Sequence, residues 1–87
     1  MIDFDYIDHI SYVFRTIEDG YNFFKNFPGF RIFKGPCNNY SQGVKYLFIG
    51  IEGSPQIELL APLGEKSPIK NFLNKFGPGL YHFCYAC

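Results

Sequence analysis

Three polar side chains stand where a strand would normally carry apolar ones: His9 in YIDHISYVF, Glu58 in QIELLAP and His82 in LYHFCYAC. Two imidazoles and a carboxylate form a donor set that suits first-row divalent metals. Glu58 poses the sharpest question, because Ile57 and Leu59 flank it and an unpaired buried carboxylate is prohibitively costly. It must reach water or a partner that offsets its desolvation. Each residue alone has a plainer reading: a hydrogen-bonded core histidine for His9 or His82, a solvent-facing strand residue for Glu58. The spacing matches no short motif such as H-E-x-x-H, so only the fold can bring the three together. Cys84 and Cys87 form a C-x-x-C without a partner pair, and Cys37 makes the cysteine count odd. They read as buried or terminal thiols of a reduced cytoplasm, not as a disulfide or zinc framework.

The elements that must position these residues are well punctuated. Residues 6–14 alternate as a strand, with Ile7, His9, Ser11 and Val13 on one parity and Asp8, Ile10, Tyr12 and Phe14 on the other. Thr16 caps a helix with Glu18 and Asp19 in its first turn, and Ile17, Tyr21 and Phe24 give that helix a buried stripe. RIFK (31–34) is a short second strand. GPCNNYSQG (35–43) reads as a loop from its Gly, Pro and Asn content. VKYLFIG (44–50) is a third strand, Gly53 to Pro55 turn the chain, and QIELLA (56–61) is a fourth. Ser67 and Pro68 start a second helix as N-cap and first-turn proline, running to about Phe76. GPG (77–79) breaks it, and LYHFCYAC (80–87) alternates as a last strand resembling the first.

This order predicts an α+β fold. One βαβββ module spans 1–62, a connecting helix and turn span 63–79, and 80–87 is the first strand of an incomplete second module. The whole is a single domain over 1–87. The last strand needs a partner for its backbone and its apolar face, which points to a homodimer. On strand parity Glu58 falls with Gln56 and Leu60, and Ile57 with Leu59.

Composition narrows the classes. The chain has 87 residues, 47% of them hydrophobic, with 11 Phe and 7 Tyr, so it can build a real core but only a small one. Formal net charge is +0, and Lys25, Arg31, Lys34 and Lys45 are scattered singly, which speaks against a nucleic-acid partner. No apolar run approaches the roughly 20 residues of a membrane span. The N-terminus, MIDFDYIDHI, carries acids where a secretion signal carries positive charge, so a cytoplasmic location is expected.

The blocks IDHISYVFRTIEDGYNFFKN, SQGVKYLFI, QIELLAPLGEKSPIKNFL and GPGLYHFCYAC resemble the methylmalonyl-CoA epimerases of the vicinal oxygen chelate superfamily. That superfamily also holds the glyoxalase I (lactoylglutathione lyase) type, extradiol dioxygenases and bleomycin-resistance proteins. The resemblance runs from Ile7 onward, and its most specific part extends from ELLAPLG through SPI to GLYH. It implies two βαβββ modules packed as a pseudo-twofold pair around a cupped sheet. A divalent metal ion (Co, Ni, Zn, Mn, Mg or Fe) would sit in the cup, held by a first-strand His and a fourth-strand carboxylate or amide from each module. His9 and Glu58 match the first pair and His82 the second-module His; a fourth ligand, usually a Glu, would lie beyond Cys87.

The activity implied is that of a metal-dependent isomerase or lyase. It polarises the carbonyl of a small acyl-CoA, thioester or α-keto substrate so that a carboxylate can remove and return the adjacent proton. Epimerases of the family carry a second Glu on the third strand. The matching position here is Tyr46, so no catalytic base is assigned within the chain. A non-catalytic ligand-binding module of the same fold and a purely structural half-barrel are the alternatives.

Overall fold

The computed structural model describes the backbone of residues 7–85 and the side chains of residues 10–81. Chain order is β1 (Ile7–Val13), α1 (Ile17–Phe24), β2 (Arg31–Asn39), β3 (Val44–Gly50), β4 (Gln56–Pro62), α2 (Pro68–Phe76) and β5 (Gly79–Tyr85). The strands form one mixed sheet in the order β2-β3-β4-β1-β5. β1 runs parallel to β4, and all other neighbours are antiparallel. The expected α+β class and βαβββ order are therefore present, and β3 pairs with β4 as expected.

Local signals explain both helices. The Thr16 side chain accepts from the Asp19 amide at 3.1 Å, satisfying one of the donors that a helix N-terminus leaves free. Ser67 does the same for the Ile69 amide at 3.2 Å, and Pro68 follows where its missing N–H costs nothing. Gly77 ends α2 with φ +76, a conformation that favours glycine, and its amide returns to the Leu73 carbonyl at 2.8 Å.

The two faces of the sheet are filled separately. On one, Phe24 of α1 meets Leu47, Ile49, Ile57 and Leu59, with Tyr12, Phe14 and Ile17 around them. On the other, Ile69 and Leu73 of α2 pack on Val13, Val44 and Leu60. Alternation along β4 does the sorting, since a period of two sends Ile57 and Leu59 to α1 and Leu60 to α2.

The structure revises two expectations. The α1 stripe is not Ile17, Tyr21 and Phe24: the buried pair is Gly20 and Phe24, while Tyr21 is 38% exposed and sits edge-on to Phe30. A Cβ on Gly20 would lie 2.8 Å from Phe14 Cδ2 and 3.1 Å from Leu59 Cδ1, so glycine lets the helix sit close to the sheet and Tyr21 rotates to the rim. The second revision concerns the loop expected over 35–43. β2 runs on to Asn39, with register irregularities between Ile32 and Lys34 and between Lys34 and Cys37. An edge strand pairs on one side only, so it can carry Pro36, which has no N–H, and the left-handed Gly35 at φ +101. The true turn is 40–43, held by Asn39 Oδ1 accepting from the Ser41 hydroxyl and the Gln42 amide. Among the described residues no helix is long and apolar enough to cross a membrane.

Candidate functional site

The face opposite α1 is only partly covered. α2 seals one end, and the rest opens as a cavity of about 940 Å³. Its floor is made of alternate residues of two adjacent strands, Tyr46 and Phe48 from β3 and Glu58 and Leu60 from β4, with Tyr81 of β5 and Lys34 of β2 at its sides. Segments 39–43 and 63–69 form its rim. The wall is aromatic and ordered by ring contacts: Tyr46 and Phe48 meet edge-on at 5.7 Å, and Tyr81 meets Phe72 of α2 at 4.9 Å. Lys34 Nζ lies 5.9 Å from the centre of the Tyr46 ring, adding a positive charge at the margin.

Glu58 lines this cavity, half-buried, on the same side as Leu60, as the alternation required. The sequence reading gave its carboxylate a metal as partner. The structure adds a partner from the chain itself: the Ser11 hydroxyl donates to Glu58 Oε1 at 3.0 Å. Ser11 is fully buried on β1 and lies directly opposite Glu58 in the parallel register. Sequence reasoning placed Ser11 on the His9 parity but gave it no role. The signal was a hydroxyl at a strand position whose next same-side neighbour, Val13, is core.

His9 and His82 can be placed by backbone register only, since their side chains lie outside the described ones. His9 is two residues before Ser11 on β1 and pairs with Gln56 of β4. His82 of β5 pairs with Ser11 from the other side. Strand β5 thus finds its backbone partner within the chain: it joins the same sheet beside β1, and among the described residues no strand neighbours its outer edge. Register therefore gathers His9, Ser11, Glu58 and His82 on three successive strands, β4-β1-β5, within two residues of one another along the strands. Among the described residues no three His, Cys, Asp or Glu side chains cluster as a metal site. Of the three residues expected as ligands, Glu58 is the one whose side chain is described. Nitrogen and oxygen donors of this kind fit a first-row divalent ion. Tyr46 is confirmed on the cavity face, so the third-strand position carries a phenol. Cys37 is a free thiol on β2, and the side chains of Cys84 and Cys87 are outside the described ones.

A single βαβββ unit with a further antiparallel strand beside β1, one helix on each face and an aromatic cavity with Glu58 in its floor, defines the class. The chain belongs to the Glyoxalase/Bleomycin resistance protein/Dioxygenase superfamily, whose sequence pattern matches residues 8–87. Within it, the chain is similar to the mitochondrial methylmalonyl-CoA epimerase of Dictyostelium discoideum, with 35% identity over 79 residues, covering 90% of this chain and 46% of that protein. The structure superimposes on a hypothetical protein from Bacillus halodurans C-125 with a TM-score of 0.80 and 38% identity, covering 91% of this chain and 56% of the other. It also matches a methylmalonyl-CoA epimerase solved with methylmalonyl-CoA and NH4+, at a TM-score of 0.79 and 28% identity, over 92% of this chain and 58% of that one. The chain spans about half the length of these relatives.

Proposed function

We propose that the chain is one module of a metal-dependent isomerase or lyase of the methylmalonyl-CoA epimerase and glyoxalase type, acting on a small acyl-CoA, thioester or α-keto substrate. In that reading 1–62 is the complete module, 63–79 the connection and 80–87 the opening strand of a second. The observation that carries it is Glu58: a half-buried carboxylate in an aromatic cavity, in register with the strand of His9 and with that one strand between it and the strand of His82.

His9, Glu58 and His82 would hold the ion. When bound, a divalent ion supplies positive charge that stabilises the oxygen of a developing enolate. The chain's own residues would bind and orient. Glu58 presents a carboxylate whose Oε1 is tied to Ser11, and Tyr46, Phe48 and Tyr81 exclude water from one side of the substrate. Breaking the α-C–H bond would send its electron pair into the enolate and its proton to a carboxylate of the second module, which would return it for epimerisation. Tyr46 stands at the third-strand position where epimerases carry a carboxylate. That residue favours one second reading, a ligand-binding module without proton transfer. The relatives are about twice as long, so a second module, from another copy of this chain as a homodimer or from further sequence, would complete the cup. A cytoplasmic location fits the odd and sparse cysteines of the sequence.

The test combines metal and substrate. Isothermal titration with Co2+ should give saturable binding that Glu58→Ala weakens at least ~10-fold, on the scale of losing a ligand or its support. The isolated chain as a monomer should not be a competent enzyme; methylmalonyl-CoA incubated in D2O with the metal-loaded dimer, which brings two modules together, should then gain α-deuterium. Binding without exchange selects the ligand-binding reading, and no binding at all removes the metal reading.

A further inference from the structure

Resting on that metal-site reading, we propose that Ser11 is a positioning residue for the site: its hydroxyl fixes the Glu58 carboxylate in the orientation it needs to act as a ligand. Among the described residues two polar ones are buried, Ser11 and Ser67. The second is explained by local structure, since Ser67 caps α2. Ser11 caps nothing and turns nothing. It sits inside β1 at 0% exposure, where the neighbouring same-parity residue Val13 is pure core.

A buried hydroxyl is tolerated when it is hydrogen-bonded, and the partner here is a functional carboxylate from a strand 47 residues away. The geometry is suited to positioning. Serine has one short side-chain torsion, so its Oγ is fixed by the strand backbone. Glu58 has three torsions, so a bond to a group held on the neighbouring strand narrows the carboxylate placements open to it. The 3.0 Å bond at Oε1 anchors the flexible group to the rigid one. Because Ser11 pairs with Glu58 on one side and with His82 on the other, the anchor stands at the middle strand of the three that carry the donor set. Groups that orient a ligand without touching the ion change metal affinity by about 10–100-fold.

The experiment is a double-mutant cycle read by Co2+ titration of the full chain, using Ser11→Ala, Glu58→Ala and the double variant, with thermal unfolding followed by circular dichroism for each. Ser11→Ala should weaken Co2+ binding ~10-fold, and it should cause no further loss once Glu58 is alanine. Ser11→Thr keeps the hydroxyl and should retain most of the parent affinity, which guards against reading a packing defect as a positioning effect. Parent-like affinity in Ser11→Ala would overturn the role of Ser11 while leaving the metal site standing. An equal loss in the Glu58→Ala background would overturn it too, because Ser11 would then act through the sheet and not through Glu58. Absence of Co2+ binding by the parent chain would instead overturn the metal reading, and the positioning role with it.

Discussion

The two faces of the sheet are built from the same strands to opposite ends. On the α1 face, Leu47, Ile49, Ile57 and Leu59 are almost entirely buried and close around Phe24. On the other, the same strands present Tyr46, Phe48 and Glu58 to a cavity of about 940 Å³, and α2 seals only the end over Leu60 and Val44. Residues adjacent in sequence, Glu58 and Leu59, therefore serve different purposes. One face stabilises a small domain with little to spare, and that lets the other keep a polar group in an open cup. Stability and candidate chemistry are separated by parity, not by position along the chain.

That separation can be broken from the stable side first. Leu59→Ala removes a side chain with 0% exposure beside Gly20, Ile57 and Phe24. It should cost about 2–5 kcal/mol in urea unfolding, enough to leave much of an 87-residue domain unfolded at room temperature. Gly20→Ala tests the close approach of α1. The added methyl would meet Phe14 and Leu59 at 2.8 and 3.1 Å, an overpacking cost of about 1–3 kcal/mol that exceeds the roughly 1 kcal/mol of helix propensity gained. A lower unfolding midpoint is expected, and a higher one would mean that Phe14 yields freely. Thr16→Ala deletes the bond to the Asp19 amide and should cost about 1 kcal/mol, read in the same unfolding experiment, with the cavity unaffected. Glu58→Ala sits at the far end of the scale. The change in stability should be about 1 kcal/mol, the scale of the hydrogen bond from Ser11 that it removes, while Co2+ binding weakens at least ~10-fold. Loss of stability comparable to Leu59→Ala would show that the two faces are not separate.

How much of this was legible follows from where each determinant lies. Thr16, Ser67-Pro68 and Gly77 act on backbone groups within a few residues, so both helices could be read directly. The alternation of QIELLA set Glu58 on the opposite parity from Ile57 and Leu59, the family resemblance implied that its side is the cup, and the structure has it lining the cavity. The extension of β2 was hidden because glycine and proline signal a loop, whereas an edge strand has one side free to absorb them. The exposure of Tyr21 depended on how closely Gly20 lets α1 approach Phe14 and Leu59, a distance set by side chains on other elements. The Ser11–Glu58 bond joins residues 47 apart, and nothing local marks it. It becomes visible only once β1 and β4 are known to run parallel in the register that sets the two residues side by side.

The central claim is that β4, β1 and β5 bring Glu58, His9 and His82 to one ion. The chain has 2 histidines, so both can be followed without ambiguity. Long-range 1H–15N NMR of the imidazole nitrogens during Zn2+ titration addresses the claim most directly. The account predicts that one ring nitrogen of His9 and one of His82 shift together, saturating at the same Zn2+ concentration, and that Glu58→Ala moves both curves to higher Zn2+. Shifts of only one histidine, of the two at different Zn2+ concentrations, or of neither would contradict it.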